Sequence, residues 1–556
     1  MPGTRRVSLG RCLVAAVVGL TMLASGCQAA GGESDNTIIT AYGGRTGQFT
    51  KNFNPFSPTD SANRGTRGMI YESLLFFNQA KADEVRPWLA KDHSISEDGK
   101  AVTFALRQDV TWSDGKRFTS ADVAFTFELI KKNPALNQAG LDITSIETPD
   151  KYTVRLEFGQ SVYRDLWYVA GRTFIVPKHI WSGVDNPAKY QNRDPVGTGG
   201  FQLAEFSSRS YLLAKNSDYW QQGKPAIGGV RFLSFNSNSG ATRALSAGKI
   251  DWASIFIPKI EQVFVSKNPE HNRYTTWDQL VINLTPNLTK APLDDPAVRR
   301  AVSLALNRKK INKLAFAGYN DLPSLVETIV PRHKKYLAPE FEGVTPEYNP
   351  KKAVQRLREA GYRRGSDGFF RDDQGRKLSI ECLVVSGYTD YISALQIIQE
   401  NLQKIGIEFS GKEVSRASFA SRRAQGKFEM IIDATAGGPG PYYLYNRLLN
   451  SNLTAPVGEN AESNWARFRS DEVDQLLQKM TGTDDTAAVK QAAYGIQRIF
   501  AEKLPYIPLS EKASLVSYST ADVTGWPTPQ NPYAISAQYI FPDIGVVALN
   551  LKPNTS

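Results

Sequence analysis

The chain has 556 residues, with 66 Lys and Arg against 55 Asp and Glu, a formal net charge of +11, and 3 Cys. Hydrophobic residues make up 41% and charged residues 22%, which excludes a wholly disordered chain, and the cysteine count excludes a disulfide-dense scaffold. At about 100–200 residues per domain, roughly two to four domains are predicted.

The first elements are not part of the body. Arg5, Arg6 and Arg11 form a basic start, and residues 12–24 are apolar or small. That run is shorter than the roughly 20 residues a bilayer crossing needs; it has the form of a secretory signal. Its end, Leu23-Ala24-Ser25-Gly26-Cys27, resembles a bacterial lipobox, departing from it at Ala24 where Leu is preferred. An ordinary signal peptide with an incidental Cys is the alternative. Arg5-Arg6 also fits the start of a twin-arginine signal, although Ser8 interrupts the apolar residues expected there. Cleavage before Cys27 removes residues 1–26 and leaves 63 basic against 55 acidic residues, a formal +8. Over a body of this size that excess implies no nucleic acid partner. Cys12 is lost, Cys27 is acylated, and residues 27–36 make a small, polar tether. The acyl chains hold the protein at a membrane surface, so an exported protein, lipid-anchored to the outer face of the cytoplasmic membrane, is expected. Cys382 lies in an apolar run and reads as a small core residue.

Strands are predicted at 101–107, 152–158, 210–215, 229–235, 378–385 and 428–433. Between them, Thr119-Ser120 caps a helix bearing Val123, Phe127 and Ile130. Asp294-Asp295-Pro296 supplies a cap and a first-turn proline for a helix with Val298, Ala301, Val302, Ala305 and Leu306 on one face, closed by Gly318. Pro350 opens another, with Ala353, Leu357 and Ala360 in line and Gly361 as its stop. Residues 390–405, 471–480 and 487–502 complete the set. The alternation predicts a mixed α/β or α+β fold, with no repeat or low-complexity tract.

The blocks Ser96 to Arg107 and Val110 to Val123, the latter containing Trp112-Ser113-Asp114-Gly115, resemble the signature stretch of the family 5 extracellular solute-binding proteins of ABC importers. Further blocks occur in that family's order: Asn54-Pro55-Phe56, Ile70 to Leu75, Pro195 to Phe201, Lys215 to Trp220, Ala247 to Asp251, Pro296 to Val302, Leu306 to Ile311 and Glu502 to Leu509. Asn307 stands where the family usually has Asp. The resemblance implies a two-lobed periplasmic-binding-protein type II fold whose cleft closes on a small-molecule ligand, a closure read by the membrane permease. It implies lobe I from 37–72, 198–286 and 512–556, a subdomain of lobe I inserted at 73–197, lobe II from 287–511, and a monomer. Most of these motif residues read as scaffold. Trp112 to Gly115 is a turn suited to positive φ at Gly115, and the glycine-rich 196–200 lacks the GK[ST] of a phosphate loop.

Peptide is the commonest ligand in the family, and a buried α-ammonium needs a carboxylate. Peptide binders often carry an acidic segment just after the strand near 430; here residues 434–443 contain no acid, and Tyr442 and Tyr443 stand in its place. Two further blocks, Asn52 to Pro58 with Arg64 to Gly68, and Gly525 to Ala534, resemble the branch that binds cellobiose and related β-linked oligosaccharides. Sugars stack their C–H faces on aromatic rings. The expected ligand contacts are therefore Trp465, Trp277 and Trp252 as platforms, Tyr442 and Tyr443 beside them, and Asn52, Asn54 and Asn283 as hydroxyl partners. For each Trp, core packing is an equal alternative. An oligosaccharide is the expected ligand and an oligopeptide the alternative.

An enzyme is the rival class. Ser113-Asp114-Gly115-Lys116 matches S-x-x-K but lies in a turn rather than opening a helix. No G-x-S-x-G or H-E-x-x-H occurs, and the four His (His93, His179, His271, His333) are scattered. No catalytic residue, cofactor or metal is expected.

Overall fold

Two long antiparallel strands, Asn272–Pro286 and Ile507–Ser519, run side by side through the centre of the molecule. The computed structural model describes residues 37–42, 48–58, 61–81, 84–137, 139–330 and 332–555. The expected signal 1–26, Cys27 and the tether 27–36 lie outside the described residues. Among the described residues no helix is long and apolar enough to cross a membrane.

The long pair joins two half-sheets. Its first end, where Asn272 to Asp278 face Ser519 to Ala513, leads through Trp252–Ala253 to Thr37–Tyr42, Gly229–Ser234, Ser210–Lys215 and Phe201–Phe206. Its other end pairs Leu280 to Pro286 with Ala436 to Met430, and continues to Ser379–Val385 and Glu408–Val414. Register shifts between Asp278 and Leu280 and between Ile282 and Asn283 mark the joint; such irregularities bend a strand and raise its twist. A separate four-stranded antiparallel sheet, in the order Ala90–Ile95, Ala101–Leu106, Thr153–Phe158, Ile143–Asp150, packs with helix Ser120–Lys132. The mixed α/β class expected from the sequence is the one observed.

The helices follow their local signals. Asp295 accepts a hydrogen bond from Ala297 N, and Pro296 opens helix Pro296–Ala305. The single helix expected to run on to Gly318 is broken: Leu306 is extended, and a second helix, Arg308–Leu314, starts afresh. Asn307 Oδ1 accepts from Lys310 N at 2.9 Å, an N-cap bond that Asn and Asp both make. In helix Thr389–Ile405, Tyr391, Ala394, Leu395, Ile398, Leu402 and Ile405 are buried, and Gly406 (φ +86) ends it. Cys382, the one cysteine among the described residues, is buried in the same core, which raises the pKa of its thiol.

The glycine-rich 196–200 segment is a close crossing of backbones. A Cβ on Gly197 would lie 1.9 Å from the Ile70 carbonyl oxygen, and one on Gly199 would lie 2.0 Å from that of Met69. Glycine is needed there for proximity.

Candidate ligand-binding site

Between the half-sheets, and bordered also by Ile130, Leu136 and Leu141 beside the four-stranded sheet, lies a cavity of about 1030 Å³. That is at the upper end of the roughly 300–1,000 Å³ of small-molecule sites. Thirteen aromatic side chains border it, from both sides of the joint. Phe56, Trp167, Tyr168, Phe256, Tyr539 and Phe541 stand on the first side, and Tyr388, Tyr391, Tyr443 and Trp465 on the second.

The two sides touch. Helix Pro441–Leu449 presents Tyr443, whose hydroxyl donates to the Arg164 carbonyl at 2.7 Å. Its ring meets Trp167 edge-on at 4.7 Å and Tyr168 at 5.5 Å, both in the short π-helical stretch Trp167–Arg172. Arg332 adds a second link, its Nη1 donating to the Gln79 carbonyl at 2.9 Å. Local sequence sets the loop that leads to Tyr443. Gly438 has φ +61, and a Cβ there would meet Tyr443 Cβ at 2.8 Å.

Trp465 and Tyr443 are the expected contacts that line the cavity. Trp465 is half-buried, rests on the Phe419 and Phe428 cluster, and has the Arg423 guanidinium 4.7 Å from its ring. The other expected contacts do not border the cavity. Trp252 is fully buried, its indole N–H donating to the Ser536 carbonyl at 2.8 Å, and it packs against Trp526. Trp277 is buried too and donates to Ser536 Oγ at 2.9 Å. Tyr442 is buried on the helix, one residue before Tyr443. Asn54 is fully buried, its Nδ2 bonded to the Pro187 and Tyr190 carbonyls and its Oδ1 to Phe56 N. Asn52 holds the same turn by donating to Ser57 Oγ and the Ser61 carbonyl. Asn283 lies inside the joint, accepting from Thr285 Oγ1 at 2.7 Å and donating to Glu327 at 3.4 Å. For these six the polar groups a ligand would use are enclosed in the protein or already bonded within it.

Sequence reasoning missed Trp167, Tyr168, Tyr388, Arg172 and Arg447. The clusters Trp167-Tyr168 and Tyr442-Tyr443 look alike as sequence; Tyr442 is as buried as Tyr443, and only the direction in which the fold turns each ring separates those that reach the cavity. The indole N–H groups of Trp167 and Trp465 make no hydrogen bond among the described residues, unlike those of Trp252 and Trp277.

The wall's charges are unequal. Asp433 is paired with Arg423 at 2.5 Å. Burial raises the pKa of Asp390 and of Glu462. Burial and the neighbouring Arg67 and Arg447 lower Arg172 to about 9. Among the described residues no group of three or more His, Cys, Asp or Glu could hold a metal ion.

Known proteins share this architecture. A periplasmic oligopeptide-binding protein of an oligopeptide ABC transporter from Thermotoga maritima, solved with mannohexaose bound, superposes with a TM-score of 0.85 at 25% identity, over 95% of this chain and 100% of that one. The nickel-binding periplasmic protein of Escherichia coli (strain K12) is 26% identical over 465 residues, 81% of this chain and 85% of its own length. The glutathione-binding protein of Salmonella paratyphi A is 26% identical over 520 residues, 89% and 93% of the two chains. Residues 84–455 match the family described as bacterial extracellular solute-binding proteins, family 5 middle region, and the chain belongs to that family.

Proposed function

We propose that this solute-binding protein of an ABC importer captures a β-linked oligosaccharide, of the cello- or xylo-oligosaccharide kind, and delivers it to the membrane permease. The observation that carries the reading is the cavity wall. Aromatic rings border a space of about 1030 Å³ from both sides, and Trp167 and Trp465 keep indole donors available to hydroxyls. Ring faces supply contact area for sugar C–H groups, and the N–H supplies orientation. The mannohexaose held by the Thermotoga maritima relative supports the same ligand class.

The acids on the wall argue the same way. A peptide's buried α-ammonium needs an ionised carboxylate. Asp433 is already paired, and burial pushes Asp390 and Glu462 toward their neutral forms. In this reading residues 37–72, 198–286 and 512–556 form one lobe with 73–197 inserted, and residues 287–511 form the other. The bulged joint at Asp278 to Asn283 is the hinge on which they close. The mature protein is a monomer, tethered by acylated Cys27 outside the cytoplasmic membrane, and binds without catalysing a reaction.

Calorimetry with cello-, xylo- and manno-oligosaccharides beside a peptide pool tests the reading. Saturable binding of a sugar with no heat from peptides is the expected result; the reverse pattern overturns it. The oligopeptide reading keeps one observation in its favour, the guanidinium groups of Arg172 and Arg447, which suit a terminal carboxylate.

A further inference from the structure

Helix Pro441–Leu449 is buried along its length except at Arg447, which is open to the cavity. The residue is exposed, and the space it is exposed to is the cavity between the two sides. Burial, the largest influence, lowers its pKa, and Arg423 adds to this. Arg447 forms no ion pair and no side-chain hydrogen bond among the described residues. Arg423 is paired with Asp433, and that carboxylate also acts on Arg447 electrostatically without forming an ion pair with it.

On the opposite side stands Arg172. It lies 3.8 Å over the Phe541 ring and 5.1 Å from that of Trp167, and its one hydrogen bond among the described residues goes from Nη1 to the Phe541 carbonyl at 2.8 Å. A guanidinium has five N–H donors, so most of its capacity is left over. It too has no ion pair. Tyr168 senses both Arg172 and Arg447 electrostatically, and Arg447 acts on Arg172 directly. The cavity therefore holds two like charges, one from each side, in a setting where water screens them poorly; Asp543 acts on Arg172 and Asp433 on Arg447, but neither carboxylate lies between the two. The group that turns this repulsion into attraction is an anion placed between them.

We propose that the cleft contains an anion-recognition subsite between Arg172 and Arg447, and that it takes a carboxylate carried by the ligand. A planar carboxylate matches the guanidinium fork. Trp167, Tyr168 and Tyr443 stand around the same place, so the acid belongs to a ring: the ligand is an acidic oligosaccharide with a uronate residue. This rests on the oligosaccharide reading, and a peptide C-terminus would offer the same carboxylate. Arg447 then sets specificity, because it forms no ion pair within the protein and an acidic ligand supplies one.

The test is calorimetry at low and high salt with four probes. These are a neutral xylo-oligosaccharide, the same oligosaccharide bearing a glucuronic acid, a peptide with a free C-terminus, and that peptide amidated. The protein is used as parent, Arg447→Gln and Arg447→Lys, each checked by thermal unfolding. The acidic sugar is expected to bind at least tenfold more tightly than the neutral one. That preference should shrink with salt, survive in part in Arg447→Lys, and vanish in Arg447→Gln. Equal binding of both sugars by the parent overturns the subsite and leaves the oligosaccharide reading standing, and this arm needs no variant. A preference retained in Arg447→Gln also overturns it. If no sugar binds, but the free-acid peptide exceeds the amidated one in the parent and not in Arg447→Gln, the subsite stands and the oligosaccharide reading falls. Failure of all four probes to bind overturns the subsite.

Discussion

Beneath the crossing strands, Trp252 and Trp277 converge on one residue, Ser536, and give it both indole N–H groups. At the cleft, Trp167 and Trp465 stand in a comparably aromatic setting and give their N–H groups to no residue described. The first pair closes a network of the core; the second leaves a donor and a ring face facing water. A tryptophan that packs the core and one that lines the cavity differ less in burial than in whether the polar atom is already bonded. Trp167 is only 6% exposed, against 7% for Trp277, so exposure alone would have misassigned them.

The comparison breaks most readily at its core half. Trp252→Ala is expected to lower unfolding free energy by about 3–5 kcal/mol, the range for large buried aromatics, while the protein that remains folded keeps its ligand affinity. Denaturant unfolding and calorimetry on one preparation check both halves; weakened binding with unchanged stability would place Trp252 with the cleft residues.

The joint offers the next effect. Burial pushes Glu327 from 4.5 up to about 8, with the Asn283 hydrogen bond and Arg308 opposing. Between about pH 4.5 and pH 8 the folded chain therefore holds a proton that the unfolded chain has released. Raising the pH across that window costs stability, by up to roughly 1.4 kcal/mol per unit of displacement. The loss is complete above about pH 8. Glu327→Gln should flatten that slope, read as unfolding free energy at a series of pH values; an unchanged slope would show that Glu327 titrates normally.

At the cleft, Trp465→Ala should weaken ligand binding about tenfold, or ~1.4 kcal/mol, with less than half the stability cost of Trp252→Ala. Equal stability losses in the two variants would erase the distinction between the regions. The smallest effect belongs to Cys382. Its thiol is buried with a raised pKa, so a thiol reagent should not label the native protein and should label it once unfolded. Cys382→Ala should cost about 1 kcal/mol.

The sequence by itself determined the α/β class, the family resemblance and most helix starts, because these are written in neighbouring residues. Asp295 before Pro296, Pro350, and Thr119 before Ser120 each sit where the structure begins a helix. It missed the break at Leu306 and Asn307, where an apolar face continues across an extended residue. It also pointed to the segment 434–443 as the place where aromatics replace acids, and Tyr443 there borders the cavity.

Only the tertiary structure decided which aromatics and charges border the cavity. Trp252 is made a core residue by Ser536, 284 positions away, and Tyr443 meets a carbonyl 279 positions away. Arg447 is one arginine among 66 basic residues in the sequence. In the fold it is the one open position on a buried helix, facing Arg172 across the cleft. Such roles depend on which distant groups have taken up a side chain's hydrogen bonds and charge, and periodicity and composition carry no record of that.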